Sequence, residues 1–486
     1  MRKIIFFIFL SMSLSFANQM DAFDDLDKEF GNEDSEFKNF KQKVDDEFYA
    51  YKKSIDDEFS TFLKQTWKEF DSYKNPKPYE KPKPKQTPIA KKPTAPKKTE
   101  IKKSPIVKVA PIKRQKIVKK PKPIIAINEN KISFDFYGEK ISLNYDKTIL
   151  FNLQKIDNKA ISSAWQKLGK AKTKKLNSQI NEYISFLNLN DWAKYLFIQK
   201  AGDKIYKNRN KANIFTWYIL AKMGYDIKVG YNKKAVHLLS SMDHKLYQVP
   251  FFTIDKKTYY LLAKNTKNVG SLYTYKGNYP KADAKLSFEV KKPLKLDSDI
   301  KNKKLSFSFS NKAYTINAKY SKNLVEFYNT LPQSDYRVYF DSQNSAQINN
   351  SILKELSKYM KGMSELEAVN FLLRFTQKSF EYKTDGDQFS REKVMFPDET
   401  VFFPYSDCED RSIMFATLVK NLLGLKVVGL KFPNHLATAV ALSSNVSGDS
   451  FKYKGKLFTV TDPTYINANA GMTMPQYKNS DFTVIE

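Results

Sequence analysis

The chain has 486 residues, of which 41% are hydrophobic, and its 82 Lys and Arg against 52 Asp and Glu give a net charge of +30. This length predicts two or three domains besides any tails. Half of the net charge lies in residues 75–123, which hold 17 basic and 2 acidic residues, so the overall charge says little about the folded part. The single cysteine, Cys408, excludes an internal disulfide framework.

Residues 1–17 have the features of a secretory signal peptide. The stretch MRKIIFFIFLSMSLSFA combines a positively charged start, an apolar run at residues 4–16 that is short for a membrane span, and small residues at the −3 and −1 positions of a cleavage site. An uncleaved anchor is the alternative. The basic, Asn-rich composition of the remainder favours a bacterial periplasmic protein.

Residues 18–74 are predicted to form one long amphipathic helix that resembles a coiled coil. Aromatic residues recur every 11 residues from Phe37 to Phe70, and Gly and Pro are nearly absent. Eleven residues make three helical turns, a period typical of right-handed supercoils. The aromatic stripe favours homo-oligomerisation or docking on a partner through residues 23–73, and a solitary helix that folds back on the body is the alternative.

Residues 75–123 are predicted to form a disordered linker. They contain 11 of the chain's 20 prolines among many lysines, a composition that cannot bury a core and that favours polyproline-II stretches. Their charge suits contact with an anionic envelope surface, such as anionic lipid, lipopolysaccharide or cell-wall polymer. A stiff spacer is the alternative, and nucleic-acid binding is not expected of an exported chain.

The remainder predicts an α+β protein built from two tandem copies, 124–290 and 300–486. In each copy two alternating strands precede helices, and a helix followed directly by a strand comes next. The segment KISFDFYGEKISLNYDKTILFN is matched by KLSFSFSNKAYTINAKYSKNLVEFYN, and IFTWYILAKMGYDIKVGY is matched by SIMFATLVKNLLGLKVVGL. This shared order predicts an internal duplication of one fold.

The chemistry is expected in the second copy, around Cys408. This residue opens an apolar helical stripe that ends at Gly424, and the cap-type residues Ser406 and Asp407 precede it. Unpaired backbone N–H groups in a first helical turn stabilise a thiolate, whereas the neighbouring carboxylates oppose it. A lone thiol in an oxidising compartment is a hazard, which favours a nucleophile over a buried filler residue.

A histidine and a carboxylate are predicted to lie beside this thiol. His435 begins one strand, HLATAVAL, and Asp462 ends another, KLFTVTD. If the two strands form an antiparallel hairpin across the polar loop between them, the first residue of one lies opposite the last residue of the other. His435 then accepts the thiol proton and Asp462 orients the imidazole, which predicts a Cys408–His435–Asp462 triad.

These motifs resemble the transglutaminase-like family of the papain-type cysteine peptidase superfamily. The elements SDCEDRS, GLKVVGL, NHLATAVAL and TDPTY follow the family's order, and FPDET resembles the segment that often precedes its cysteine. The resemblance is strong over about 396–466, and it implies a papain-like fold with Cys408 as nucleophile, His435 as base and Asp462 as orienting acid. Ser406 stands where the family usually has glycine.

The motif does not fix the oxyanion donors. The backbone N–H of Cys408 is a physical candidate, and Tyr405 or Asn434 could assist it. No cofactor is expected.

No metal is expected either, because only one of the three histidines lies near a cysteine in the sequence. Asp407, Glu409 and Asp410 could in principle bind calcium, but they are interpreted as a solvated helix start.

The first copy is predicted to have lost the chemistry. Alignment of the two copies on their glycines gives the residues at the triad positions: Asn208 or Arg209 for Cys408, Val236 or His237 for His435, and Ala263 for Asp462. At most one triad member survives, so 124–290 is predicted to be a non-catalytic twin that binds substrate, braces the active copy or contacts a partner.

The predicted function is an exported cysteine hydrolase, a peptidase or amidase that acts through a thioester on periplasmic proteins or cell-wall peptides. Transfer of the acyl group to an amine is the second possible outcome, although no residue marks an amine site. The alternative is a non-catalytic periplasmic scaffold or binding protein that uses the same fold and is tethered by its basic linker.

Overall fold

The computed structural model describes residues 35–65, 67–74, 87–90, 130–262 and 269–486. The contacts divide the chain into two units, with the boundary between Ser60 and Thr61. The predicted signal peptide and all of the predicted linker except 87–90 lie outside the described residues. Within the described residues, no helix is both long and apolar enough to span a bilayer.

The N-terminal segment differs from the single helix predicted for residues 18–74. Helix α1 spans Ser35–Leu63, and it is followed by two strands, β1 (Trp67–Phe70) and β2 (Tyr73–Lys74). The predicted helix is therefore wrong at its C-terminal end, while residues 18–34 lie outside the described residues. The reason is tertiary pairing, which overrides a local periodicity: β1 pairs with a distant strand, 272–275.

The first globular half contains a hairpin, four helices and the strands of one sheet. Its elements are β3 (Asn130–Phe136), β4 (Glu139–Tyr145), a 3-10 turn (Lys147–Ile149), α2 (Asn158–Gly169), α3 (Lys174–Leu187), α4 (Asp191–Tyr206), α5 (Arg209–Lys222), β5 (Ile227–Tyr231), β6 (Val236–Ser240), β7 (Pro250–Ile254), β8 (Lys257–Leu261) and β9 (Leu272–Tyr275).

The second half begins with a longer hairpin and has more, shorter helices. Its elements are β10 (Ile300–Phe309), β11 (Lys312–Ser321), α6 (Lys322–Tyr328), α7 (Tyr336–Asp341), α8 (Ala346–Ile348), a π-helical turn (Asn349–Leu353), α9 (Lys354–Tyr359), α10 (Glu365–Lys378), β12 (Glu381–Tyr382), α11 (Asp385–Phe389), α12 (Pro397–Phe402), β13 (Tyr405–Ser406), α13 (Cys408–Leu423), β14 (Val427–Phe432), β15 (His435–Val440), β16 (Ser450–Tyr453), β17 (Lys456–Thr461), a 3-10 turn (Pro475–Tyr477) and β18 (Thr483–Ile485).

The fold is mixed α+β, and its two main sheets are antiparallel with the same strand order. The first sheet runs β1-β9-β5-β6-β8-β7-β2, and the second runs β18-β14-β15-β17-β16. If β1 and β2 are left out, each sheet has five strands. When these five are numbered by their order along the chain, they lie side by side in the order fifth, first, second, fourth, third. The residues of the N-terminal segment thus add one strand to each edge of the first sheet.

Local sequence explains where the helices next to the site begin and end. The side chain of Ser364 accepts a hydrogen bond from Glu367 N at the start of α10, and Gly424 ends α13 with a φ of 67°, which glycine adopts without steric cost. Helix α13 packs against β14 and β15. Apolar side chains on β14, β15 and β17 form a buried cluster on the sheet: Val428, Leu430, Phe432, Ala437, Ala439, Phe458 and Val460.

Candidate active site

Cys408 is the first residue of α13, and its side chain is 1% exposed. Asp407 is the N-cap, as the sequence predicted for a cap-type residue. The helix start is held by Asp410, whose carboxylate accepts hydrogen bonds from Asp407 N at 3.1 Å and from Met395 N at 2.9 Å. The backbone that carries the thiol is therefore fixed by its own first turn and by the chain preceding α12.

His435 and Asp462 form a buried pair. His435 Nε2 lies 2.8 Å from Asp462 Oδ2, and the other carboxylate oxygen, Oδ1, accepts from Thr464 N at 2.8 Å and from Tyr465 N at 3.2 Å. Because a carboxylate accepts hydrogen bonds, it favours the tautomer with the proton on Nε2. The Nδ1 atom of His435 is then the nitrogen that can accept a proton.

The strand register that brings this pair together differs from the prediction. The predicted hairpin placed His435 directly opposite Asp462, but β15 pairs with β17 as Thr438↔Thr461, which puts Ala437 opposite residue 462. The loop that was predicted to join the two strands contains β16, which forms the hairpin with β17. His435 and Asp462 meet diagonally, which their positions on the same face of the sheet allow.

Tyr477 lies against the imidazole ring of His435. Its ring stacks on the His435 ring with centroids 5.0 Å apart and an interplanar angle of 9°. Burial raises the pKa of Tyr477, and electrostatic interactions with Cys408 and Asp462 raise it further. Ser412 Oγ, one turn after Cys408, donates to Leu436 O at 2.8 Å and joins α13 to β15 beside His435.

The acidic residues around Cys408 are buried, so their interpretation as a solvated helix start is wrong. Asp407, Glu409 and Asp410 are all inaccessible to solvent. The thiol donates to Glu409 Oε2 at 3.0 Å. A carboxylate at this distance disfavours the thiolate, so Glu409 opposes the effect of the helix start.

The fold adds two more carboxylates to this cluster, Asp385 and Glu392, which come from the segment around α11. Three sets of side chains have ligand atoms within 4.8 Å of one another: Asp407 with Cys408 and Glu409; Asp385 with Glu392 and Glu409; and Asp385 with Asp407 and Asp410. Carboxylate oxygens gathered in this way are the ligands that hard divalent cations use. These residues could therefore hold a metal, and the expectation of none stays a prediction.

Arg411 is a structural residue that the sequence analysis missed. It is 1% exposed, and it donates to Ser406 Oγ at 3.2 Å, to Gln377 O at 3.4 Å and to Phe380 O. Desolvation lowers the pKa of Arg411 to about 10, so the side chain stays cationic at neutral pH. The bond to Ser406 also gives a reason for serine at this position, because a glycine has no hydroxyl to accept it.

One face of α10 holds the loop that follows Asp462. Gln377 Nε2 donates to Asp462 O at 3.1 Å and to Ala468 O at 3.0 Å, and its Oε1 accepts from Asn467 N. Arg374 donates to Asn467 O at 3.2 Å, and Asn370 Oδ1 accepts from the backbone N of Ala470 at 2.8 Å. Asn370, Arg374 and Gln377 stand at positions i, i+4 and i+7 of the helix, and this spacing was the signal that could have revealed the clamp.

The two predicted oxyanion residues lie at different places around the site. Tyr405 is half-buried in β13, and its ring lies 5.0 Å from Lys383 Nζ. Asn434 is half-buried in the two-residue turn between β14 and β15. The role of both residues in stabilising an oxyanion stays a prediction.

The first half has other residues at the triad positions. Asn208 is the N-cap of α5 and Arg209 its first residue, at the place of Cys408. The second strand of the sheet begins at Val236 in the first half and at His435 in the second half. A valine therefore stands at the strand start that His435 occupies in the second half, and His237 is the next residue. Ala263 lies outside the described residues.

Comparison of the chain with protein-family models, curated proteins and solved structures gives no match. The site combines a buried thiol at a helix start, an imidazole held by a carboxylate, and a tyrosine ring stacked on that imidazole. This combination suits nucleophilic attack on a carbonyl carbon.

The pH dependence of stability provides a test of the buried acidic region. Burial raises the pKa of Asp398, on α12, from its ordinary value of 3.8 to about 7, and Ser345 Oγ donates to it at 2.8 Å. Between these two values the folded state holds a proton that the unfolded state releases, so the free energy of unfolding falls as the pH rises through this window and levels off above it. While only the folded state holds the proton, the free energy of unfolding falls by about 1.4 kcal/mol for each pH step of one.

We expect Asp398→Asn to remove this decline, since asparagine keeps the acceptor for Ser345 and does not ionise. Urea unfolding at pH 5, 6, 7 and 8 measures the effect. The stability of the variant relative to the original chain should grow with pH, and parallel curves for the two proteins would contradict the assignment to Asp398.

Proposed function

We propose that this chain is a transglutaminase-like cysteine hydrolase that cleaves amide bonds of peptides or proteins through a thioester on Cys408. The observation that carries the proposal is the buried His435–Asp462 pair, 2.8 Å apart, at the end of the sheet against which the helix of Cys408 packs. The histidine is not needed to complete the sheet, because the first half forms the same strand order with Val236 as the first residue of its second strand.

The reaction follows from the roles of the three side chains. His435 Nδ1 accepts the Cys408 proton while Sγ attacks the carbonyl carbon, and the backbone N–H groups at the start of α13 stabilise the oxyanion. The C–N bond breaks, and His435 returns the proton to the leaving amine. Water then adds to the thioester with His435 as base, the C–S bond breaks, and the acid and the free thiol are released.

The two halves are proposed to be tandem copies of one papain-like fold, of which the first has no catalytic residues. Their common strand order supports this. The first half then contributes binding surface rather than chemistry. Export through residues 1–17, a periplasmic location, contact of the basic linker with an anionic envelope surface and self-association through residues 23–73 belong to the same proposal.

The test is cleavage of a peptide library by the full chain. Proteome-derived peptides are incubated with the protein and with Cys408→Ala, and newly formed termini are identified by mass spectrometry. We expect new carboxyl termini with the original chain only. New isopeptide or amide links instead of new termini would show transfer to an amine.

Equal cleavage by the Cys408→Ala variant, or none by either protein, overturns the proposal. In the second case the scaffold alternative gains a direct test, because a cell that lacks the gene would be complemented as well by Cys408→Ala as by the original chain.

A further inference from the structure

A short piece of the linker, residues 87–90, is bound to the second half. Ile466 N donates to Pro88 O at 3.0 Å, and Ala90 N donates to Ile466 O at 2.9 Å, so the segment lies as an extended strand parallel to residue 466. Composition alone predicts no fixed structure for it. Proline is compatible with this pairing because only the carbonyl of Pro88 takes part.

The contact involves one small side chain. Ala90 is 3% exposed and packs with Tyr465, Ala468 and Met474, whereas the adjacent Ile89 is 66% exposed. The backbone bonds do not depend on the side chains of the bound strand, and the only side chain of residues 87–90 that is buried is the methyl group of Ala90. The surface therefore recognises an extended peptide with a small residue at one position.

This surface is continuous with the candidate active site. Tyr477 packs against the cluster that contains Ala90, and its ring also stacks on the ring of His435. Ile466 lies four residues after Asp462, on the loop that Gln377 and Arg374 hold in place. One tyrosine ring thus separates the bound strand from the imidazole.

We propose that Tyr465, Ile466, Ala468 and Met474 form a substrate subsite for extended peptides with a small apolar residue, and that residues 87–90 of this chain occupy it in competition with substrate. That the peptide is a substrate rests on the proposed function, whereas the binding itself does not. Two backbone hydrogen bonds and one buried methyl group bind weakly, so the segment stays in place because its attachment gives it an effective concentration on the order of millimolar. A longer substrate with further contacts can displace it.

The chain offers a matched pair of variants for the first experiment. Ala90→Asp places a carboxylate in the enclosed position, and Ile89→Asp makes the same change at an exposed neighbour. Hydrogen–deuterium exchange is measured on peptides that contain residue 90 and residue 466. We expect at least tenfold faster exchange at both amides in Ala90→Asp and no change in Ile89→Asp. Unchanged exchange in Ala90→Asp, with an unfolding temperature equal to that of the original chain, overturns the docking.

The second experiment measures competition. A fluorescein-labelled peptide KQTPIAKK is titrated with Cys408→Ala protein that carries either Ala90 or Ala90→Asp, and anisotropy reports binding. We expect at least tenfold tighter binding to the Ala90→Asp protein, whose subsite is vacant, and no binding of the peptide KQTPIDKK. Equal affinity for both proteins overturns the competition.

The two proposals fail separately. Neither hydrogen–deuterium exchange nor anisotropy requires peptide cleavage. If both give the expected results in a protein that cleaves no peptide, the peptide subsite is supported and the hydrolase proposal is overturned. Cleavage that is equally fast in the original chain and in Ala90→Asp keeps the hydrolase and removes the competition.

Discussion

Replacement of His435 by glutamine is expected to lower the rate of peptide cleavage by about 10²- to 10⁴-fold. Glutamine keeps a polar side chain next to Asp462 but cannot accept the thiol proton and return it to the leaving amine. Since Glu409 lies 3.0 Å from the thiol and disfavours its ionisation, the imidazole is the group that must generate the nucleophile. Alkylation of Cys408 by iodoacetamide at pH 7, followed by mass spectrometry, should slow in the same variant.

The first half of the chain supplies the control for this experiment. His237 is a half-buried histidine on β6 whose Nε2 has no hydrogen-bond partner within the described residues. His237→Gln makes the same chemical change in the half without a cysteine, and it should leave both rates unchanged. Rapid alkylation of Cys408 in His435→Gln would contradict the role of His435 as base.

Replacement of Arg411 by methionine is expected to lower the free energy of unfolding by about 3–5 kcal/mol. The guanidinium is buried among carboxylates, and it supplies hydrogen bonds to Ser406 Oγ and to the carbonyls of Gln377 and Phe380. Methionine fills much of the volume but leaves these acceptors without their donor and removes the positive charge that interacts with Asp407 and Asp410. Urea unfolding monitored by circular dichroism measures the loss.

An exposed arginine provides the comparison. Arg337 pairs with Asp341 one turn away, and its side chain is 73% exposed. Arg337→Met should change the free energy of unfolding by less than about 1 kcal/mol, because exposed ion pairs contribute little. A loss of the same size in both variants would mean that burial of Arg411 has no special effect on stability.

The sequence predicts the helix and strands that carry the site better than it predicts how the strands pair. Cys408 at the start of an apolar helix follows from local signals, namely the cap residues and the stripe that ends at Gly424. The pairing of His435 with Asp462 was predicted from strand ends, but the register was displaced by two residues. The stretch that holds β16 was predicted to be a polar loop, although its Phe451 and Tyr453 alternate with polar residues and pack on the sheet.

Features that depend on distant residues could not be predicted. Glu409 is buried, and Asp385 and Glu392 lie close to it from another segment. Nothing in the local sequence distinguishes it from a solvated acid. Phe70 fits the 11-residue repeat, yet its strand pairs with residues about 200 positions away. The burial of the first residue and the strand conformation of the second both depend on a distant segment. A periodicity within one segment carries no information about that distant partner.

Strands β1 and β2 belong to the sheet of the first half, although they precede the predicted linker. They cover the two outer strands of its sheet, β9 and β7, with backbone hydrogen bonds. A truncated protein that begins at residue 124 would expose both edges to pairing with other chains, a common route to aggregation. A protease that cut the chain between residues 91 and 129 would not separate these strands from the sheet, so the two fragments should purify together and part only on denaturation.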